Sequence, residues 1–381
     1  MSKLIASRYF PEPVDPHAFD TSPPPRKPAP IGILLINLGT PDDPTAPAIR
    51  RYLLEFLSDP RVIEIPQLLW QPLLRTVVLA RRPAKLAPRY ESIWLPEGSP
   101  LVVWSQAQVD GVQQRLDAMG IPAHVVLGMR YGNPSIKSAM DALQQAGCER
   151  TLVVPLYPQY AASTTATAID KVNAYAARRR NQPELRFIKR YHDDPGYLGA
   201  LEQSVRRFWA QRGVPDYLLL SFHSLPRITV ELGDPYYRDC METARLLGQR
   251  LGEDGHRVRV TFQSRFGAQK WLEPFTEPTL REWARQGVGR VDVMCPGFLA
   301  DCLETLEEIQ VECRDAFLAE GGKELNYIPC LNGDEQWVDA LTQLVLRNLG
   351  GWHDISSEHL AQCGADQTGP VPEAATLESH D

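Results

Sequence analysis

Two side chains in this sequence have the type and the neighbours for proton or metal chemistry. His223 stands in Ser221-Phe222-His223-Ser224-Leu225-Pro226, directly after the apolar run Tyr217–Leu220. Neutral imidazole is both a base and a metal ligand near pH 7. A capping or core role is the plainer alternative for a lone histidine, but a polar turn just past a buried strand favours function. Glu304 belongs to the acidic segment Asp301-Cys302-Leu303-Glu304-Thr305-Leu306-Glu307-Glu308-Ile309-Gln310-Val311-Glu312. On an α-helix Asp301, Glu304, Glu308 and Glu312 would share one face. Such a ladder binds a hard or borderline cation or passes protons. The competing reading is a solvated acidic face whose first turn suits the helix dipole. Its place directly after a strand and Pro296-Gly297-Phe298 favours function.

The elements that must position these residues can be read from the pattern. Apolar runs at Ile31–Ile36, Ala123–Leu127, Thr151–Val154, Leu185–Ile188, Tyr217–Leu220, Val258–Phe262 and Val291–Met294 alternate with helical segments. Helices are expected near residues 46–57, 66–79, 101–118, 135–147, 164–179, 197–211, 237–252, 276–285, 302–318 and 334–348. Strands that are apolar at nearly every position are covered on both faces, so the fold class is α/β with doubly wound parallel sheets. Ligands of such sheets sit beyond the carboxyl ends of the strands. Tyr131, Tyr157, Tyr160, Trp271 and Phe298 gather near those ends, where a flat apolar ligand would need walls, although ordinary core is the usual role of an aromatic residue. Arg81, Arg82 and Arg130 have the chemistry to meet ligand carboxylates; for Arg81 and Arg82 surface solvation is the plainer reading.

The sequence also echoes itself. ILLINLGTP, ending at Pro41, parallels YLLLSFHSLP, ending at Pro226. Arg130-Tyr131-Gly132 parallels Arg265-Phe266-Gly267, and VVPLYPQY (153–160) parallels VMCPGFLAD (293–301). Three echoes in the same order point to two related halves. The expected organisation is an extended Pro-rich arm (1–30), an N-terminal α/β half (31–165), a C-terminal α/β half carrying His223 and Glu304 (166–330), a closing helix (331–350) and an acidic flexible tail (351–381).

Composition narrows the class. The chain has 381 residues, 43% hydrophobic, with a formal charge of −7. That balance argues against a nucleic-acid partner, which needs clustered Lys and Arg. Seven cysteines without a C-x-x-C pair fit reduced thiols in a cytoplasmic protein. No apolar run approaches the ~18 residues of a membrane span. Phosphate-loop, G-x-G-x-x-G, H-E-x-x-H and G-x-S-x-G motifs are absent, which disfavours a nucleotide- or flavin-binding module.

Six segments taken in order, INLGTP (36–41), GMRYGNPSI (128–136), PLYPQYAASTT (155–165), SFHSLP (221–226), FQSRFGAQKWLEP (262–274) and CPGFLADCLETLEEI (295–309), resemble ferrochelatase. The resemblance runs from about residue 31 to 348. It implies two flavodoxin-like halves with a porphyrin cleft between them. It implies a lyase that inserts Fe(II) into protoporphyrin IX with release of two protons, the last step of haem biosynthesis. Protoporphyrin IX and Fe(II) are then the partners, with iron as substrate and no permanently bound cofactor. Carried over by motif, His223 and Glu304 are the catalytic and metal-handling pair facing each other across the porphyrin. Asp301 and Glu308 match the acidic line that relays protons or metal. Arg130, Tyr131, Tyr157, Ser163, Ser264, Trp271 and Phe298 match positions near the macrocycle.

Departures from the family pattern carry their own expectations. Cys302 stands where many relatives have His. Tyr160-Ala161-Ala162-Ser163 replaces the Y-S-C-S-T-T segment of the animal enzymes, and only Cys363 lies in the tail, so no iron–sulfur cluster is expected. Leu68, Leu69, Trp70, Leu73 and Leu74 match a lipid-facing lip, so loose contact with the inner face of the membrane stays open. Oligomeric state is not legible. The alternatives are a chelatase for another tetrapyrrole, such as coproporphyrin or a corrin precursor, or a non-catalytic porphyrin or haem carrier. The His223 and Glu304 pair speaks against the carrier.

Overall fold

The computed structural model describes residues 29–265, 267 and 269–354, together with 9, 10, 19 and 359. Most of the expected arm and tail, including Cys363, lies outside the described residues. Eight strands form two four-stranded sheets in which every pairing is parallel. β1 (Ile31–Thr40), β2 (Ala123–Gly132), β3 (Arg150–Pro155) and β4 (Glu184–Phe187) take the order β2-β1-β3-β4. β5 (Tyr217–His223), β6 (Val258–Gln263), β7 (Arg290–Met294) and β8 (Glu324–Ile328) take the order β6-β5-β7-β8. The second sheet repeats the first strand for strand. In each, the order reverses beside the central strand, and that is where ligands of open sheets lie.

Side-chain alternation along the strands builds the core in layers. Ile33 and Leu35 of β1 join Leu218 and Leu220 of β5 in one core common to both halves. Leu34 and Ile36 face a separate core of the first half, and Leu219 one of the second. The common core is closed by the helix Glu335–Arg347, which starts where Asp334 accepts hydrogen bonds from the amides of Gln336 and Trp337. Trp337 is buried on that helix against Tyr191 and Tyr197. Truncating such a ring to alanine costs about 3–5 kcal/mol. Among the described residues no helix is long and apolar enough to cross a membrane.

Three features differ from the sequence pattern. β4, on the far side of the expected boundary at residue 165, hydrogen-bonds to β3 and completes the first sheet. β8 was not expected at all: Glu324 and Asn326 interrupt its apolar run at the edge of the sheet. The helix Leu79–Ile93 contains Pro83 and Pro88, which ordinarily break a helix. Pro83 has no N–H to give Leu79, and Arg50 Nη1 donates to that carbonyl instead, at 2.8 Å.

Candidate active site

His223 is the last residue of β5, at the switch point of the second sheet. Its Nδ1 lies 2.7 Å from the carbonyl oxygen of Ser224. A carbonyl only accepts, so Nδ1 carries the proton and the lone pair of the neutral ring is on Nε2. Nε2 has no hydrogen-bond partner among the described residues. Glu304 opens a ten-residue π-helix, Glu304–Cys313, reached from β7 through the loop Cys295–Leu303. π-helical turns are rare and concentrate at functional sites. Glu304 and Glu307 lie in its first turn, where the dipole favours negative charge.

The carboxyl end of β6 joins these two elements. Gln263 pairs with His223 across the ladder, and its Nε2 donates to the backbone carbonyl of Glu304 at 2.8 Å. Ser264 has φ 63°, a left-handed conformation uncommon outside glycine. Its N–H donates to Glu308 Oε1 at 2.8 Å, and its hydroxyl donates to Oε2. Burial raises the Glu308 carboxyl above its ordinary range; the Ser264 donors and His223 pull it back, and the nearby charge of Glu304 pushes it up. His223, Glu304, Glu308 and Ser264 are therefore brought together.

Glu304 faces groups from the first half. Tyr52, Tyr90 and Arg82 all lie within its electrostatic reach. Burial raises both phenols and lowers Arg82. Arg82 is half-buried, whereas Arg81 is exposed, so the surface reading holds only for Arg81. Cys302 is buried beside Glu304 and packs with Leu101 and Ala300; burial raises its thiol, and Glu304 raises it further. Arg89, on the same helix as Arg82 and Tyr90, pairs with Glu312 and lies 3.7 Å from Glu307.

Asp301 stands apart from the ladder. It is buried, and its carboxylate accepts from Tyr327 at 2.5 Å, Asn332 at 2.6 Å and Thr305 at 3.0 Å. With both oxygens engaged, it pins the loop that precedes the π-helix. The expected single face of four acids is thus divided: Asp301 inward, Glu304 toward Tyr90 and Arg82, Glu308 to Ser264 near His223, and Glu312 to Arg89.

The residues matched to the macrocycle divide as well. Arg130 pairs with Asp59, and its Nε donates to Thr167 Oγ1 at 2.6 Å. Tyr131 is fully buried, with its hydroxyl donating to the same carboxylate at 2.9 Å. Burial would raise Asp59, but donors from Thr167, the Arg61 amide and Tyr131, with the Arg130 charge, hold it below the usual carboxylate range. Arg130 and Tyr131 are thus tied to one carboxylate, with Tyr131 buried and Arg130 partly so. Tyr157 is buried, and its hydroxyl has no partner among the described residues. Ser163 is half-buried in the π turn Ala162–Ala166, and Phe298 packs against the Leu101–Cys302 cluster. Trp271 bridges to Pro226 and, with Arg227, Val230, Tyr237 and Leu272, lines a cleft of about 590 Å³. Among the described residues no three His, Cys, Asp or Glu side chains converge as a cage for a metal ion.

A family model described as Ferrochelatase matches residues 30–349. The chain belongs to the ferrochelatase family. Similar ferrochelatases include that of Bordetella bronchiseptica, 61% identical over 349 residues covering 92% of this chain and 96% of the relative. That of Azoarcus sp. is 58% identical over 321 residues, 84% of this chain and 88% of the relative. Among solved structures, SirB from Bacillus subtilis with Fe3+ is similar in fold alone, with a TM-score of 0.50 and 13% identity over 85% of this chain and 97% of that one. As a ferrochelatase, the chain is a metal-inserting enzyme of the lyase class, acting on a porphyrin and ferrous iron.

Sequence reasoning missed Tyr52, Tyr90, Gln263 and Asp59, and placed Arg82 on the surface. Tyr90 and Arg82 were hidden because Pro83 and Pro88 disguise their helix. Gln263 had a usable signal, a polar amide closing an apolar strand, but the eye goes to the histidine on the neighbouring strand.

Proposed function

We propose that His223 Nε2 takes a pyrrole proton while Glu304 hands ferrous iron to the opposite face of protoporphyrin IX. The two N–H bonds break and release two protons, all four ring nitrogens bond the iron, and iron stays ferrous. The observation that supports this division is the fixed tautomer: Nδ1–H is tied to Ser224 O, so the lone pair points away from its own strand. A neutral acceptor suits an N–H acid, and a carboxylate suits a dication that must be released again. Glu308, held by Ser264 between the two, carries protons onward. Tyr157, Ser163, Ser264, Trp271 and Phe298 contact or back the ring, while Arg130 and Tyr131 brace the wall from behind. The cytoplasmic protein meets lipid loosely through Leu68, Leu69 and Leu73, which are 91%, 71% and 47% exposed, whereas Trp70 and Leu74 of the expected lip are buried. No iron–sulfur cluster is involved.

The test is anaerobic insertion with purified protein, Fe(II) and protoporphyrin IX. His223→Ala and Glu304→Gln should each lower kcat by about 10²–10⁴-fold, with porphyrin affinity retained. Near-normal insertion by either folded variant rejects the assignment.

A further inference from the structure

The second half contains a buried polar connection whose two ends are the catalytic elements. Gln263 is buried, and its backbone carbonyl and both ends of its side-chain amide are hydrogen-bonded. Its backbone carbonyl accepts from Ser224 N at 2.7 Å, and Ser224 O is the group that fixes the His223 ring. Its amide nitrogen reaches the Glu304 carbonyl at 2.8 Å and lies 3.5 Å from Glu308 Oε2. Both of those oxygens are acceptors, so this end of the amide must be the NH₂. Its amide oxygen accepts from Ser221 Oγ at 2.7 Å, and Ser221 is 2.7 Å from Thr276 Oγ1. The side chain therefore cannot rotate without breaking a bond at one end or the other.

We propose that Gln263 is a positioning residue for metal insertion, setting the separation between the His223 ring and the two glutamates at the start of the π-helix. The inference rests on the roles given to His223 and Glu304. Gln263 touches neither ring nor iron; it acts through the residues that do. A strand end fixed to a sheet is rigid, whereas the first turn of a π-helix has amides without partners inside the helix and carbonyls aimed into wide, weakly packed turns. A second donor on the Glu304 carbonyl ties the softer element to the harder one. Displacements of about 1 Å at such a site cost about 10²-fold in rate.

The deciding variants are Gln263→Met, which keeps the volume and removes both polar groups, and Gln263→Glu, which keeps the shape and puts an oxygen where the Glu304 carbonyl needs a donor. Each is assayed as the full chain with Fe(II) and protoporphyrin IX under argon, beside His223→Ala. A fall in kcat of at least tenfold, with KM for the porphyrin changed by less than threefold, is expected for both. Should Gln263→Met fail to melt cooperatively, Gln263→Glu decides. A kcat within twofold of the parent, or a loss that appears in KM with kcat unchanged, overturns the inference. If His223→Ala also inserts iron normally, the catalytic assignment falls as well; if His223→Ala is inactive, only the positioning role does.

Discussion

At the carboxyl end of β2, the Met129 amide reaches the Pro134 carbonyl at 2.6 Å; at the end of β6, the Phe262 amide reaches that of Pro274 at 2.8 Å. Met129 then pairs with Ser135, and Phe262 with Phe275, in the same isolated parallel bridge. The two turns superpose in pattern, so Arg130 corresponds to Gln263 and not to the Arg265 of the sequence echo. Because Asn37 pairs with Met129 and Phe222 with Phe262, Leu38 corresponds to His223. One scaffold has been finished in two ways. In the first half an arginine meets Asp59, and Thr167 and Tyr131 donate to the same carboxylate. In the second, an uncharged amide holds the backbone carbonyl of Glu304 and lies 3.5 Å from Glu308 Oε2, while an imidazole nitrogen has no partner among the described residues. The first arrangement is a brace; the second keeps charge that can react.

The largest expected effect tests that contrast directly. His223→Ala should lower kcat by about 10²–10⁴-fold, while Leu38→Ala at the equivalent position changes it less than tenfold; comparable losses would show that both strand ends are catalytic. Next comes the brace. Arg130→Met leaves Asp59 buried with its charge uncompensated, which should cost about 3 kcal/mol in a denaturant titration, with porphyrin KM in the folded fraction nearly unchanged. A large rise in KM without destabilisation would make Arg130 a ligand contact after all.

A smaller effect concerns Glu308. Its folded carboxyl is raised above the ordinary value mainly by burial. Such a group favours the fold below its unfolded pKa, and that contribution is lost as pH rises through the folded pKa. Glu308→Gln should therefore lower activity yet melt higher than the parent at pH 8, the gap closing as pH falls through the raised folded pKa and gone below about 4. A gap that does not change with pH would mean that Glu308 is not strained by ionisation. The smallest effect belongs to the insertion between β1 and β2, which carries the exposed leucines. Leu68→Asp with Leu69→Asp should abolish co-sedimentation with phosphatidylglycerol vesicles and leave kcat on solubilised porphyrin within about twofold.

Much of this is legible in the sequence. Buried parallel strands betray themselves by continuous apolar runs, and the echoes at Pro41 and Pro226 located both central strands. The expected places of His223 and Glu304, at the end of one buried strand and beyond another, match the end of β5 and the π-helix after β7. What stayed hidden depended on distant partners. Nothing near Pro83 announces that Arg50 will take the carbonyl it orphans. Nothing in the acidic segment tells Asp301 from Glu304: that difference is made by Tyr327 and Asn332, which occupy one carboxylate and not the other. The wide turn of the π-helix is likewise invisible in an acidic repeat that reads equally well as α.

Arg89 reaches from the helix Leu79–Ile93 of the first half to Glu307 and Glu312 on the π-helix of the second. The helix that presents Arg82 and Tyr90 is thus in thermodynamic linkage with the carboxylates it faces. Whatever binds more tightly when that helix moves outward must weaken the grip of the acidic turns, and the reverse holds by the same factor. Since Arg89 and Glu312 are exposed, their pair is worth about 1 kcal/mol at most, which bounds its share of the reciprocity at about fivefold and makes it fade as ionic strength rises.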